Sequence, residues 1–212
     1  MMVAQTSQYS PAEELANTLS HGLGAILSVL ALVLLINQAS TDDWIRLASV
    51  TLYGVSLVLL FLASTLYHGV KSASAKRLFK LLDHCAIYVL IAGTYTPLTL
   101  ITLQGDLGLG MFALVWGIAL AGILFKLKYG AKYKILSVAT YLGMGFISLA
   151  VISDLSQQLA TNGLILLALG GGVYTLGVFF YLNHKIPFNH AIWHLFVLGG
   201  AACHFFMIWF YV

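Results

Sequence analysis

Residues 44–68, WIRLASVTLYGVSLVLLFLASTLYH, carry one charge, Arg46, near the start and a histidine at the end. An α-helix needs about 20 apolar residues to cross the hydrocarbon core of a bilayer, so this stretch reads as a membrane span. Six more stretches qualify, at roughly 18–38, 80–103, 107–127, 133–153, 160–182 and 188–211. The dividers are short and polar: NQASTDDW, GVKSASAKR, QGD, KLKYGAKYK, SDLSQQLATN and NHKIPFN. Connections this short make consecutive helices antiparallel neighbours. The expected fold is all-α: a polytopic membrane protein with one seven-helix bundle over residues 1–212. Residues 1–17 are expected to form a cytoplasmic N-terminal segment.

Composition agrees. The chain is 60% hydrophobic and 8% charged, whereas a soluble domain carries about a quarter charged residues. The N-terminal stretch MMVAQTSQYSPAEELANTLSH has no basic n-region and contains Glu13 and Glu14. The first apolar segment is therefore expected to stay as a helix rather than be cleaved. Cys85 and Cys203 both fall in apolar segments and read as free thiols.

The charges set the expected orientation. Lys71, Lys76, Arg77 and Lys80 follow the second span, Lys126, Lys128, Lys132 and Lys134 follow the fourth, and Lys185 follows the sixth. The alternate connections hold Asp42, Asp43, Asp106 and Asp154, with Arg46 their only basic residue. The positive-inside rule makes the lysine-rich side cytoplasmic. Seven spans then leave the N-terminus cytoplasmic and the C-terminus extracytoplasmic, opposite to G-protein-coupled receptors.

That orientation brings the ionisable residues of the spans to one depth. His68 ends the second span; Asp83 and His84 begin the third; His190 and His194 begin the seventh. Ionisable residues inside a membrane are costly and mark function by default. His190 and His194, four apart, share a helix face, as do Ser64 and His68. Three histidines with an open fourth position are a common catalytic zinc set. The working assignment is Zn2+ on His68, His190 and His194, with Asp83 as proton acceptor or orienting group and Ser64 as hydrogen-bond partner. The competing reading is interhelical hydrogen bonding by neutral histidines; the agreement in depth favours the metal.

Glu14, Asn17 and His21 form an i, i+3, i+7 stripe at the start of the first span. They are expected to line or gate the site rather than ligate. His204 lies about 15 Å along the helix from His194 and, like His184, is expected to be structural. Tyr67, Tyr129, Tyr133 and Trp44 read as interfacial anchors. Pro97 is expected to kink the third span, with Thr94 and Thr96 satisfying the freed backbone groups. Gly170, Gly171 and Gly172 are expected to allow close helix packing.

The motifs EELANTLSHG, STLYH, LLDHCAIYVLIAGTYTP and HAIWH, in this order from about residue 12 to 206, resemble those of the bacterial haemolysin III family. That family belongs with the progestin and adipoQ receptors and, more distantly, the alkaline ceramidases. The resemblance implies a multi-pass protein of the bacterial inner membrane with zinc near its cytoplasmic face. It places the ligands at His68, His190 and His194, with Asp83 and Ser64 beside them. It also suggests hydrolysis of a lipid amide or ester, so membrane lipid is the expected partner. Two alternatives stay open: a lipid or membrane-state sensor with structural zinc, and a haemolysin-like pore. No ring of acidic residues lines the spans as a selective cation channel would require, and the seventh span has no lysine for a retinal Schiff base.

Overall fold

The computed structural model describes residues 9–39, 41–130 and 132–212. Seven helices are long and apolar enough to cross a membrane: α1 (Pro11–Gln38), α2 (Trp44–Gly69), α3 (Ala73–Leu103), α4 (Gly105–Tyr129), α5 (Lys134–Gln158), α6 (Thr161–Leu182) and α7 (Asn189–Tyr211). The described residues contain no strand. Of the segment 1–17, residues 1–8 lie outside the described part of the chain, and Pro11 onwards is already helical and continuous with the first span.

Local chemistry fixes the helix starts. Ser10 and Glu13 form a capping box: the Glu13 N–H donates to Ser10 Oγ, and Glu13 Oε2 accepts from the Ser10 N–H at 2.9 Å. Pro11 follows at the first helical position, where a missing N–H costs nothing. Asp43 caps α2 by accepting from the Arg46 N–H at 2.9 Å.

α3 begins at Ala73, seven residues before the apolar stretch. Hydropathy marks where the hydrocarbon starts, but the helix continues beyond it through ASAKRLF. Only Val70, Lys71 and Ser72 connect α2 to α3. At its other end α3 passes from α-helix to a π-helical turn over Leu98–Leu103, directly after Pro97. The hydroxyls of Thr94 and Thr96 donate to the carbonyls of Leu90 and Ala92. They therefore do not serve the Gly93 carbonyl that proline leaves without its N–H, as the sequence suggested. The irregularity is absorbed by the wider turn instead.

α5 is also interrupted, by a 3₁₀ stretch at Phe146–Val151. Tyr95 of α3 spans the break: its hydroxyl donates to the Gly145 carbonyl at 2.7 Å and accepts the Ser148 N–H at 2.8 Å. A side chain from a neighbouring helix thus satisfies backbone groups that lipid could not.

α1 packs on α2 and α7, α2 on α3, α3 on α4, and α6 along α7. Small residues permit the close approaches; a Cβ at Gly93 would run into Ser56 of α2. Tyr53, Leu57 and Phe61 of α2 are buried at the centre. The outside is apolar as well, with Ile26, Leu120, Leu176 and Phe210 well exposed, a surface suited to lipid rather than water. α5 touches its neighbours only lightly, which leaves space between α3, α5, α6 and α7.

Candidate metal centre

The end of the bundle where α1, α3, α5 and α7 begin gathers the histidines. His68 from the last turn of α2 and His190 and His194 from the first turns of α7 each offer a ligand atom, and these atoms lie within 4.8 Å of one another. Ring centroids are 5.0 Å apart for His68–His190, 5.2 Å for His68–His194 and 4.6 Å for His190–His194. Such a group could hold one metal ion.

The stripe on α1 contacts two of these rings, His68 and His194. Glu14 Oε2 lies 2.7 Å from His68 Nδ1, and Glu14 Oε1 accepts from Lys76 Nζ at 2.6 Å. A carboxylate on Nδ1 keeps the proton there and leaves Nε2 as a lone pair, the outer half of a carboxylate–histidine–metal arrangement. The Asn17 amide lies 3.4 Å from the same Nδ1; with an N–H on that nitrogen, the amide oxygen belongs on this side. His194 Nδ1 lies 3.2 Å from the Asn17 carbonyl and 3.0 Å from Ser20 Oγ, so its proton is held there and Nε2 is left for an ion. Glu13 adds a third tie, accepting the Phe188 N–H at 3.2 Å. Phe188 adopts a left-handed conformation (φ 55°, ψ 22°) immediately before α7, and this bond helps hold it there. Glu13 and Glu14 together link the ends of α2, α3 and α7 around the cluster.

The donor set fits a cation. His68 Nε2 and His190 Nδ1 are buried with no hydrogen-bond partner, and buried polar atoms without partners are rare in proteins. His21 is also buried with neither ring nitrogen partnered. It stacks on His194 at 3.5 Å with planes 12° apart and meets Phe61 edge-on. His21 is not among the residues whose ligand atoms converge, so the α1 side chains pack around the group of three. Tyr9 stacks on His190 at 5.0 Å, and burial pushes its phenol well above the ordinary range, so it remains a neutral O–H.

A cavity of about 500 Å³ runs from this cluster down the bundle, within the ~300–1,000 Å³ typical of ligand pockets. Ser64, Asp83 and His84 line it together with His190 and His194. Ser64 is fully buried, and its Oγ has no partner within bonding distance; it neighbours the Asp83 carboxyl. The deeper walls are apolar, from Leu60, Ile87, Val138 and Leu167.

Gly171 and Gly172 face this space, and a Cβ at either would meet nothing within 4 Å. Of the three glycines only Gly170 permits close packing, against His204. His204 Nε2 pairs with the Leu167 carbonyl at 3.3 Å, and His184 Nε2 lies 2.9 Å from Lys134 Nζ. Cys85 and Cys203 are free.

Tyr67 is not an interfacial anchor. It is buried, packs 4.4 Å from the His68 ring, and lies under the ammonium groups of Lys76 and Lys80. The sequence also gave no sign of Ser20 or Tyr9, because neither is ionisable at neutral pH. Their roles depend on which way α1 rolls against α7.

A family model described as haemolysin-III related matches residues 9–205. The chain belongs to the haemolysin III family. This haemolysin III protein is 48% identical to Hemolysin-3 of Bacillus cereus over 94% of its own length and 92% of the relative. It is 46% identical to the Hemolysin-3 homolog of Bacillus subtilis (strain 168) over 94% of each chain. It is 37% identical to the human monocyte to macrophage differentiation factor over 97% of this chain and 87% of the relative. No solved structure matches it.

The orienting role of Glu14 can be tested without touching a ligand. Glu14→Gln keeps the size but removes the charge that fixes the His68 proton. Metal affinity is expected to fall by about 10–100-fold, read by competition with a chromophoric chelator. Unchanged affinity would mean that His68 needs no such support.

Proposed function

We propose that this protein is a zinc-dependent hydrolase of lipid amides or esters, acting from within the plasma membrane with its N-terminus in the cytoplasm. The carrying observation is that His68, His190 and His194 bring ligand atoms together, and that His190 and His194 of this group line a long apolar cavity that also exposes Asp83 and Ser64. His68, His190 and His194 would hold the ion. When bound, zinc supplies a Lewis acid that polarises a carbonyl and makes a water acidic near neutral pH. The apolar walls take the acyl chain and exclude bulk water. Asp83 accepts the proton that the attacking water loses and returns it to the leaving nitrogen or oxygen, while Ser64 Oγ–H donates a hydrogen bond to the carbonyl oxygen. The cytoplasmic placement of this end rests on the lysine distribution.

Purified zinc-loaded protein incubated with a panel of lipid amides and esters is expected to release fatty acid, and a chelator should stop the release. Lipid that binds without turnover in the zinc-loaded protein would favour the sensor reading. Zinc-independent ion flux in liposomes would favour a pore-forming reading.

A further inference from the structure

The wall facing the histidines carries positive charge that the proposed chemistry does not use. Lys126 lies in the last turn of α4, yet its side chain does not reach outward. It is 2% exposed, lines the cavity, and donates from Nζ to Ser137 Oγ at 2.5 Å. The neighbouring Lys128 shows the ordinary behaviour, exposed and lying over the Tyr129 ring. A lysine that serves only the helix dipole or the membrane surface keeps its ammonium in water. Lys126 instead turns under the bundle, where a charge without a counter-ion is costly.

Two more lysines border the same space. Lys134 lines it from the start of α5, donating to the Tyr181 carbonyl at 3.0 Å and lying 4.1 Å over the Tyr181 ring. Lys80 lines it from α3. All three bring positive charge to bear on His84 in the same wall. Asp83 is the single carboxylate among the described lining residues. No described residue forms an ion pair with Lys80, Lys126 or Lys134, since both ion pairs found there involve Glu14. The cavity is thus apolar along its length and cationic, three charges against one, at the histidine end.

We infer that Lys80, Lys126 and Lys134 form an anion subsite that takes the oxyanion headgroup, phosphate or carboxylate, of a single-chain lipid whose tail fills the cavity. The inference rests on the reading of the cavity as a lipid site, but it does not require turnover. A headgroup seated there supplies the counter-charge that buried Lys126 lacks, beside the histidines rather than on them.

The test is binding to the purified full chain in non-ionic detergent, measured by native mass spectrometry and thermal shift. The probes are a monoacylglycerol phosphate, the fatty acid anion, and the uncharged monoacylglycerol of equal chain length. Both anionic lipids are expected to bind at least about tenfold more tightly than the neutral one, since a charge-assisted hydrogen bond is stronger than one between neutral groups. Lys126→Met should remove that preference and leave neutral-lipid binding unchanged, and Lys126→Arg should retain most of it. Lys80→Gln, at a less buried position, should weaken the anionic arm alone and serves if Lys126→Met does not fold. Inorganic phosphate should neither bind nor displace the lipids at equal concentration; tight binding of phosphate alone would replace the lipid headgroup by a free anion and overturn the inference. Equal binding of charged and neutral lipids, unaffected by the variants, would also overturn it while leaving the cavity reading intact. Failure of every lipid to bind would reject that reading as well.

Discussion

His194→Ala is expected to purify as a folded membrane protein with almost no metal. His194 holds a central position: its Nδ1 is tied to the Asn17 carbonyl and Ser20, and its ring lies against His21 and beside both other histidines. Catalytic zinc sites commonly rest on three protein ligands, so removing one leaves a pair that cannot retain an ion through purification. Metal content by plasma emission should fall from about one ion per chain to a small fraction of that. The Glu14→Gln effect should be graded by comparison, because all three ligands remain. The alanine also opens space beneath His21, so helicity and gel-filtration profile must be followed in parallel. A well-folded His194→Ala protein with full metal content would remove the proposed centre.

The sequence made the spans and the histidine group legible for the same reason: both are anomalies against a simple background. Twenty apolar residues between short polar connections admit one structure in lipid, and histidines stand out in such runs. Lysine distribution placed His68, Asp83, His190 and His194 at one depth before any coordinate did. The α1 stripe at Glu14, Asn17 and His21 was visible as a pattern, but its roles were not. Whether a carboxylate 54 residues away meets His68 Nδ1 or points to solvent depends on the rotation of α1. Lys126 shows the limit clearly. By sequence it is one of four lysines after the fourth span, among nine basic residues marking one membrane side, and only the packing of α4 against α5 turns it inward. The early start of α3 was hidden because hydropathy reports the lipid boundary, not the last helical hydrogen bond. The break in α5 was hidden because its stabilising group, Tyr95, lies on another helix.

Asp83→Asn separates binding from chemistry. The amide matches the carboxyl in size, but it cannot accept a proton at neutral pH. Asp83 is not in the histidine group that can share an ion, so metal content should be unchanged. A positioned general base contributes about 10²–10⁴-fold, and release of fatty acid should fall by that range with lipid binding largely kept. This split between retained metal and lost turnover is what a structural role would not produce, since a distorted site would lose both. Ser64→Ala should fall between wild type and Asp83→Asn, because removing one hydrogen-bond donor from a developing oxyanion weakens its stabilisation without removing the proton acceptor. Undiminished turnover in Asp83→Asn would place the base elsewhere, and His84, on the same wall of the cavity, would be the residue to replace next.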